Sequence, residues 1–284
     1  MAAIARPAST VILVRPAEGG LEVYLCRRHR QASFMGGAYV FPGGRLDDAD
    51  MDPALAPHLG NAERAVATFP ELPEKEAVGL HVAAVRELFE EAGVLLATDE
   101  TGHPIDTQGN GRLAAHREKL QTGSGGLLAL AEETGIRYDL GGLHYCAHWI
   151  TPEVEPKRFS ARFFIAAVPQ GQRPVHDARE VFEGRWYRPH EALEAQTAGE
   201  IFLAPPTIWN LHDLDDAGSV EEAIARAAAR QVTAIEPRVA AHGSALHFIL
   251  PADPNYADPE AKVPQEEWRR TVLEEGRFTV YRGG

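Results

Sequence analysis

Cysteine is nearly absent: the 284-residue chain has two, Cys26 and Cys146, each inside an apolar stretch. Neither stands in a C-x-x-C or Cys/His spacing, which excludes a disulfide scaffold and a zinc ribbon and fits a reducing, cytoplasmic setting with buried thiols. Long hydrophobic runs are missing too. None approaches the roughly 18 apolar residues that a membrane span needs, and the N-terminal MAAIARPAS passes straight into a strand-like TVILVRP, so neither a signal peptide nor membrane partnership is expected. Positive charge is scarce. Lys and Arg total 28 against 41 Asp and Glu, a formal charge of −13. An acidic excess of this size argues against nucleic acid as a partner. No internal repeat occurs, no glycine-rich loop ends in Lys-Ser or Lys-Thr, and no Ser-His-Asp arrangement is readable. Hydrophobic residues at 44% and charged residues at 24% leave an ordinary globular composition.

The pattern along the chain is mixed α/β. Residues 10–14 and 21–27 are β-rich and separated by Pro16 and Gly19-Gly20, a hairpin-like opening. A short strand at 38–41 runs into Pro42, Gly43 and Gly44, glycines that permit close backbone approach. Residues 46–76 are rich in Asp, Pro and Ala without sustained period, a surface insertion with one short helix. Val78, Val82, Val85, Phe89 and Ala92 then follow at helical spacing, and Gly93 stands where a C-terminal cap belongs. A second insertion, 98–135, holds a helix near 112–120. Strands are expected at 144–150, 162–168 and 181–187, and helices at 190–196, 206–213 and 220–230. The tail contains a hairpin pattern at 238–250.

The segment that carries chemistry is 86–94, RELFEEAGV. On a helix Glu87, Glu90 and Glu91 are neighbours three and four residues apart. Two such charges about 5 Å apart repel by roughly 3 kcal/mol at an effective dielectric of 20, and a hard divalent cation removes that cost. Oxygen-only donors favour Mg²⁺ or Mn²⁺ over zinc. Arg86, four residues before Glu90, can orient a carboxylate from the side.

Residues 86–94 resemble the second half of the Nudix box, G-x5-E-x7-R-E-U-x-E-E-x-G-U with U aliphatic, and Gly44 of FPGG is the natural first glycine. Gly44 precedes Arg86 by 42 residues where the standard box has 14. Counting back from Arg86, the first glutamate of the box falls on Val78, with Glu74 and Glu76 nearby, so that glutamate's role is not transferred. Together with WITPEVEPKRFSARFFIAAVP downstream, the interrupted box is similar to the Nudix subgroup that includes the peroxisomal coenzyme A diphosphatase. The similarity runs over about residues 8–200.

The resemblance implies an α/β/α sandwich with a mixed sheet. The Nudix domain would occupy residues 1–203, with 204–284 a helical C-terminal extension packed on the core or completing a homodimer. It implies hydrolysis of a small-molecule nucleoside diphosphate derivative, coenzyme A or acyl-coenzyme A first, with ADP-ribose or a dinucleotide as the alternative substrate. A Nudix-fold binding module without turnover is the alternative of another class, and such modules are expected to lose box acids. Mapped onto this chain, Glu87, Glu90, Glu91 and the Gly43 carbonyl would bind Mg²⁺ or Mn²⁺, with Arg86 beside them. Glu90 would be the most damaging single loss. Glu180 and Glu183, in HDAREVFEGRW, are the candidates for a general base. Arg28, Arg158 and Arg162 are the candidate phosphate ligands. Phe34 could stack on adenine or line an acyl channel.

Overall fold

The computed structural model describes residues 3–29, 35–176, 181–259, 261 and 263–283. The chain opens with strands β1 (Arg6–Ala17), β2 (Gly20–Arg28), β3 (Tyr39–Val40), β4 (Gly43–Arg45) and β5 (Leu59–Gly60). Helices α1 (Ala62–Thr68) and α2 (Glu74–Ala92) follow, then β6 (Ala97–Thr98), α3 (Gly111–Gln121), α4 (Leu127–Thr134) and β7 (Arg137–Asp139). Next come β8 (His144–Ile150), β9 (Phe159–Ala167), β10 (Val181–Tyr187), α5 (Pro189–Ala198), α6 (Pro205–Leu214) and α7 (Val220–Ala229). The C-terminal part holds β11 (Ala234–Ile235), β12 (Arg238–His242), β13 (Ala245–Ile249), β14 (Arg269–Glu274) and β15 (Arg277–Arg282).

The central sheet is mixed, in the order β10-β2-β1-β9-β8-β11, with β3 against β2 and β4 against β1. β1 runs parallel to β9, and β11 to β8; the remaining pairs are antiparallel. β1 and β2 pair only near their turn, from Val14 opposite Val23 to Ala17 opposite Gly20. Beyond that they splay, and the segment 39–45 fills the gap: Tyr39 and Val40 pair with Arg27 and Cys26, Gly43 and Gly44 with Thr10 and Ser9. This wedge brings the two glycines into the plane of the sheet, under α2.

Alternation along β1 and β2 splits the core into two layers. Val11, Leu13, Tyr24 and Cys26 face α2, where Leu80, Val85, Leu88 and Phe89 pack on them. Ile12, Val14, Val23 and Leu25 face the other way, against Ala192 of α5, Ile208 and Leu211 of α6, and Ala223 and Ala227 of α7. The result is the expected three-layer α/β/α arrangement with a mixed sheet.

Two expectations change in detail. The first insertion is more than a surface excursion, because it buries Leu55, Leu59, Ala65 and Phe69 against the α2 layer. The C-terminal extension is helical only as far as Ala229. Beyond it β12 to β15 form a four-stranded antiparallel sheet, tied to α6 by the Trp209 indole N–H donating to Thr271 Oγ1 at 2.8 Å.

Candidate active site

Helix α2 buries Leu80, Ala84, Val85, Leu88, Phe89 and Ala92. With that apolar stripe fixed to the sheet, the remaining side of the last two turns carries Arg86, Glu87, Glu90 and Glu91 to the splayed end of β1 and β2. Glu91 is buried, and its Oε2 accepts the Gly43 amide N–H at 3.0 Å. Glu87 lies against Gly44 so closely that a Cβ at that position would fall 2.2 Å from Glu87 Oε1. Gly44 is thus explained by the box glutamate beside it, and Gly43 by its close approach to the backbone of Ser9 and Thr10.

Arg86 is the hub. Its Nε and Nη2 donate to the two Asp50 carboxylate oxygens, each at 2.8 Å, a bidentate pair. Nη1 donates to Glu87 Oε1 at 2.7 Å and Glu90 Oε1 at 3.1 Å, and Nη2 also donates to the Arg45 carbonyl. Hydrogen bonds and carboxylate charge outweigh the burial of this guanidinium and hold it above its ordinary pKa. Glu87 is pushed up to about 7, chiefly by burial, with the Glu90 and Asp50 charges adding to it against the pull of Arg86. Burial, then the Glu91 charge, pushes the Cys26 thiol upward, so that thiol is inert.

Among the described residues, no three carboxylate, imidazole or thiol groups stand preassembled as a metal cage. Glu87 and Glu90 turn toward Arg86, and Glu91 toward the Gly43 amide. The donor set nonetheless fits a hard cation: three carboxylates within one and a half helical turns, two of them partly exposed, beside a glycine that leaves room for Glu87.

Asp50 was not among the sequence candidates. It lies six residues after Gly44, the G-x5 position of the box's first acid, so the interruption falls after it. Counting forward from the glycine, instead of back from the arginine to Val78, finds it.

The other candidates are scattered. Arg28 ends β2 on the α2 side, and its buried Nε has no hydrogen-bond partner among the described residues. Arg162 is buried over the Phe69 ring, 4.0 Å from Glu71, and is not joined to the glutamates by any contact described. Arg158 is a structural clamp, donating to the Thr151 and Ala3 carbonyls and pairing with Glu236. Glu183 lies on the opposite face of the sheet, accepting from the Tyr39 hydroxyl at 3.0 Å with Arg27 at 3.9 Å. A cavity of about 270 Å³ opens on that face, lined by Arg27, Tyr39, Phe202 and Arg277 among others. Phe34 and Glu180 lie outside the described residues.

The far end of α2 meets the second insertion, whose Arg117 and Gln121 reach the helix's last carbonyls. Nothing in their sequence context marks them, because their acceptors are backbone oxygens.

Known proteins resemble this chain over most of its length. A family model described as the NUDT19 Nudix domain matches residues 52–214. The acyl-coenzyme A diphosphatase NUDT19 of Homo sapiens is 29% identical over 301 residues, covering 92% of this chain and 80% of that protein. Its Xenopus laevis counterpart is 26% identical, covering 84% and 72%. Among solved structures, a NUDIX hydrolase from Alicyclobacillus acidocaldarius superposes with a TM-score of 0.66 at 27% identity, over 78% of this chain and 96% of that one.

Proposed function

The chain belongs to the Nudix family, in its NUDT19 branch, and from that premise we propose that it is a divalent-metal-dependent hydrolase of coenzyme A and acyl-coenzyme A. It would cleave the pyrophosphate linkage to release a phosphopantetheine, acylated or free, and adenosine 3′,5′-bisphosphate. The observation that carries this reading is the Glu87, Glu90 and Glu91 set, assembled on α2 around Arg86 and seated on Gly43 and Gly44. A non-catalytic module would have no need of that set.

Glu87, Glu90 and Glu91, with the Gly43 carbonyl, would hold Mg²⁺ or Mn²⁺. A bound divalent ion would offset pyrophosphate charge and lower the pKa of an attacking water. Arg86 keeps Glu87 and Glu90 in place while Asp50 anchors Arg86 from the first insertion. Arg28, on the α2 side of β2, is the arginine best sited to meet a substrate phosphate. Arg158 is occupied elsewhere. Glu180 is the preferred general base, since Glu183 faces away across the sheet. The two buried cysteines suit a reducing compartment.

Coenzyme A, an acyl derivative, ADP-ribose and a dinucleoside polyphosphate, each incubated with Mg²⁺ or Mn²⁺ and resolved by product, test the reading. Turnover of ADP-ribose alone would overturn the coenzyme A assignment. Glu90→Gln is expected to lower kcat by about 100-fold with an unchanged thermal midpoint; unchanged hydrolysis would remove the glutamates from the metal site.

A further inference from the structure

Helix α2 carries its reactive carboxylates at the end least suited to them. The last four carbonyls of a helix lack intrahelical donors and present about half a negative charge, and Glu90 and Glu91 add two formal charges within the same turn. Left to itself, such a turn frays, and the directions of both side chains fray with it.

Every one of those four carbonyls is met. The Phe89 carbonyl accepts from Gly93, whose φ of 67° closes the helix. The Glu90 carbonyl accepts from Arg117 Nε at 3.0 Å and from Gln121 Nε2 at 2.9 Å. Arg117 Nη2 donates to the Glu91 carbonyl at 3.3 Å, and the Ala92 carbonyl accepts from the Val175 amide at 2.8 Å. Arg117 and Gln121 are four residues apart on α3, so one face of the second insertion addresses the terminus. Arg117 also packs on Gly93, where a Cβ would fall 2.7 Å from its Nη1. The guanidinium is therefore a charge-complementary cap in which one cation fixes two consecutive peptide units of the catalytic turn.

The same Nη2 donates to the Val175 carbonyl at 2.6 Å. Arg117 thereby joins the turn bearing Glu90 and Glu91 to the segment that follows β9. From this geometry we infer that Arg117 is a positioning residue of the proposed hydrolase. Without touching substrate, it sets the direction of Glu90 and Glu91 through their backbone, and the second insertion exists in the site as its carrier. The inference rests on the metal-dependent hydrolase reading.

The test uses the full chain with Arg117→Ala, Arg117→Lys, Gln121→Ala and the control Arg112→Ala, which alters an exposed arginine on the same helix. Mn²⁺ binding is measured by electron paramagnetic resonance without substrate, beside kcat, KM for an acyl-coenzyme A and the thermal midpoint. Supporting residues of metal sites alter affinity or rate by 10–100-fold, so Arg117→Ala is expected to weaken Mn²⁺ binding and lower kcat by about tenfold each, with KM nearly unchanged. Arg117→Lys restores part of both, Gln121→Ala shifts both more weakly in the same direction, and Arg112→Ala shifts neither. Wild-type Mn²⁺ affinity and kcat in folded Arg117→Ala would overturn the inference. Should Arg117→Ala not fold, wild-type values in both Arg117→Lys and Gln121→Ala overturn it. If the wild-type chain binds Mn²⁺ but cleaves none of the diphosphates, the hydrolase reading fails while the binding arm still judges Arg117.

Discussion

A Cβ on Gly44 would enter the space of the Glu87 carboxylate, 2.2 Å from Oε1, whereas a Cβ on Gly43 would enter backbone, 2.5 Å from the Ser9 carbonyl. The neighbours differ in what they can do. A carboxylate at the end of a side chain swings aside cheaply, but a paired strand cannot. Gly44→Ala is therefore expected to fold with a near-normal thermal midpoint and lose about 100-fold in kcat, because the displaced group is a proposed metal ligand. Gly43→Ala should instead lose about 2–3 kcal/mol in urea unfolding, the cost of forcing atoms into a packed layer. Equal effects of the two substitutions on activity and stability would refute the distinction. A second residue-scale effect concerns His81, buried between Phe69 and Phe164, with Nδ1–H donating to the Ala77 carbonyl. Burial lowers its pKa from 6.5 to about 4, with Arg64 adding to the shift and the Ala77 bond opposing it. Between those values the unfolded chain binds a proton that the native chain does not, so stability falls as pH falls. Between pH 7 and pH 5 this group should remove about 2 kcal/mol, read from urea midpoints. His81→Gln should show a correspondingly shallower acid dependence; an unchanged slope would count against the assignment.

Elements meet at the site through ions that hydropathy does not report. Asp50, in the turn after β4, and Arg86, on α2, form a buried bidentate pair with side chains 2% and 9% exposed. Asp50→Asn leaves the guanidinium buried with less compensation, at a cost of about 3 kcal/mol, and should lower Mn²⁺ affinity as Glu87 and Glu90 lose their fixed partner. Calorimetric unfolding together with a Mn²⁺ titration measures both, and loss of neither would mean that Arg86 is anchored by other groups. This pair also marks where the sequence stops being legible. The apolar spacing of α2, the Gly93 cap, and strands β8 and β10 could be read directly, because periodicity and glycine conformation are local properties. The three glutamates could be read because their motif is contiguous. Asp50 could not be read from the Arg86 side, since the interruption displaces it and no local pattern marks its partner. Arg117 and Gln121 were invisible for another reason: their partners are carbonyl oxygens, which every residue has. β14 and β15 escaped because RRTVLE and RFTVYR interleave charge with apolar residues, and of these strands only part, such as Phe278, reaches the buried layer.

At the scale of the whole molecule, the acidic excess divides into kinds. Asp50, Glu87 and Glu90 converge on one guanidinium while Glu91 is held by the Gly43 amide, and a cation would complete their compensation. Many of the remaining acids are solvated or paired locally, as in Glu222 and Asp216 around Arg226. The extension beyond Ala204 serves the second face of the sheet. Phe278 of β15 stacks on Phe202 at 5.4 Å and meets Phe248 edge-on at 5.8 Å, while Gln196 of α5 donates to the Phe278 carbonyl and accepts from the Leu203 amide. These contacts tie the C-terminal sheet to α5 and the segment after it within one chain, and we propose that the sheet stabilises its own protomer. Phe278→Ala is expected to cost about 3 kcal/mol, the loss of a buried aromatic and the void it leaves. Mn²⁺ affinity should not change, since the glutamate cluster lies on the other face of the sheet. An intramolecular contact contributes the same free energy at every protein concentration, whereas a subunit contact contributes only while the subunits are associated, and the wild-type midpoint then falls on dilution. Urea midpoints of Phe278→Ala measured over a hundredfold range of concentration separate the two. A concentration-independent wild-type midpoint with a constant shift assigns the extension to its own core, and a wild-type midpoint that falls on dilution, with a shift that shrinks as the subunits part, assigns it to a dimer.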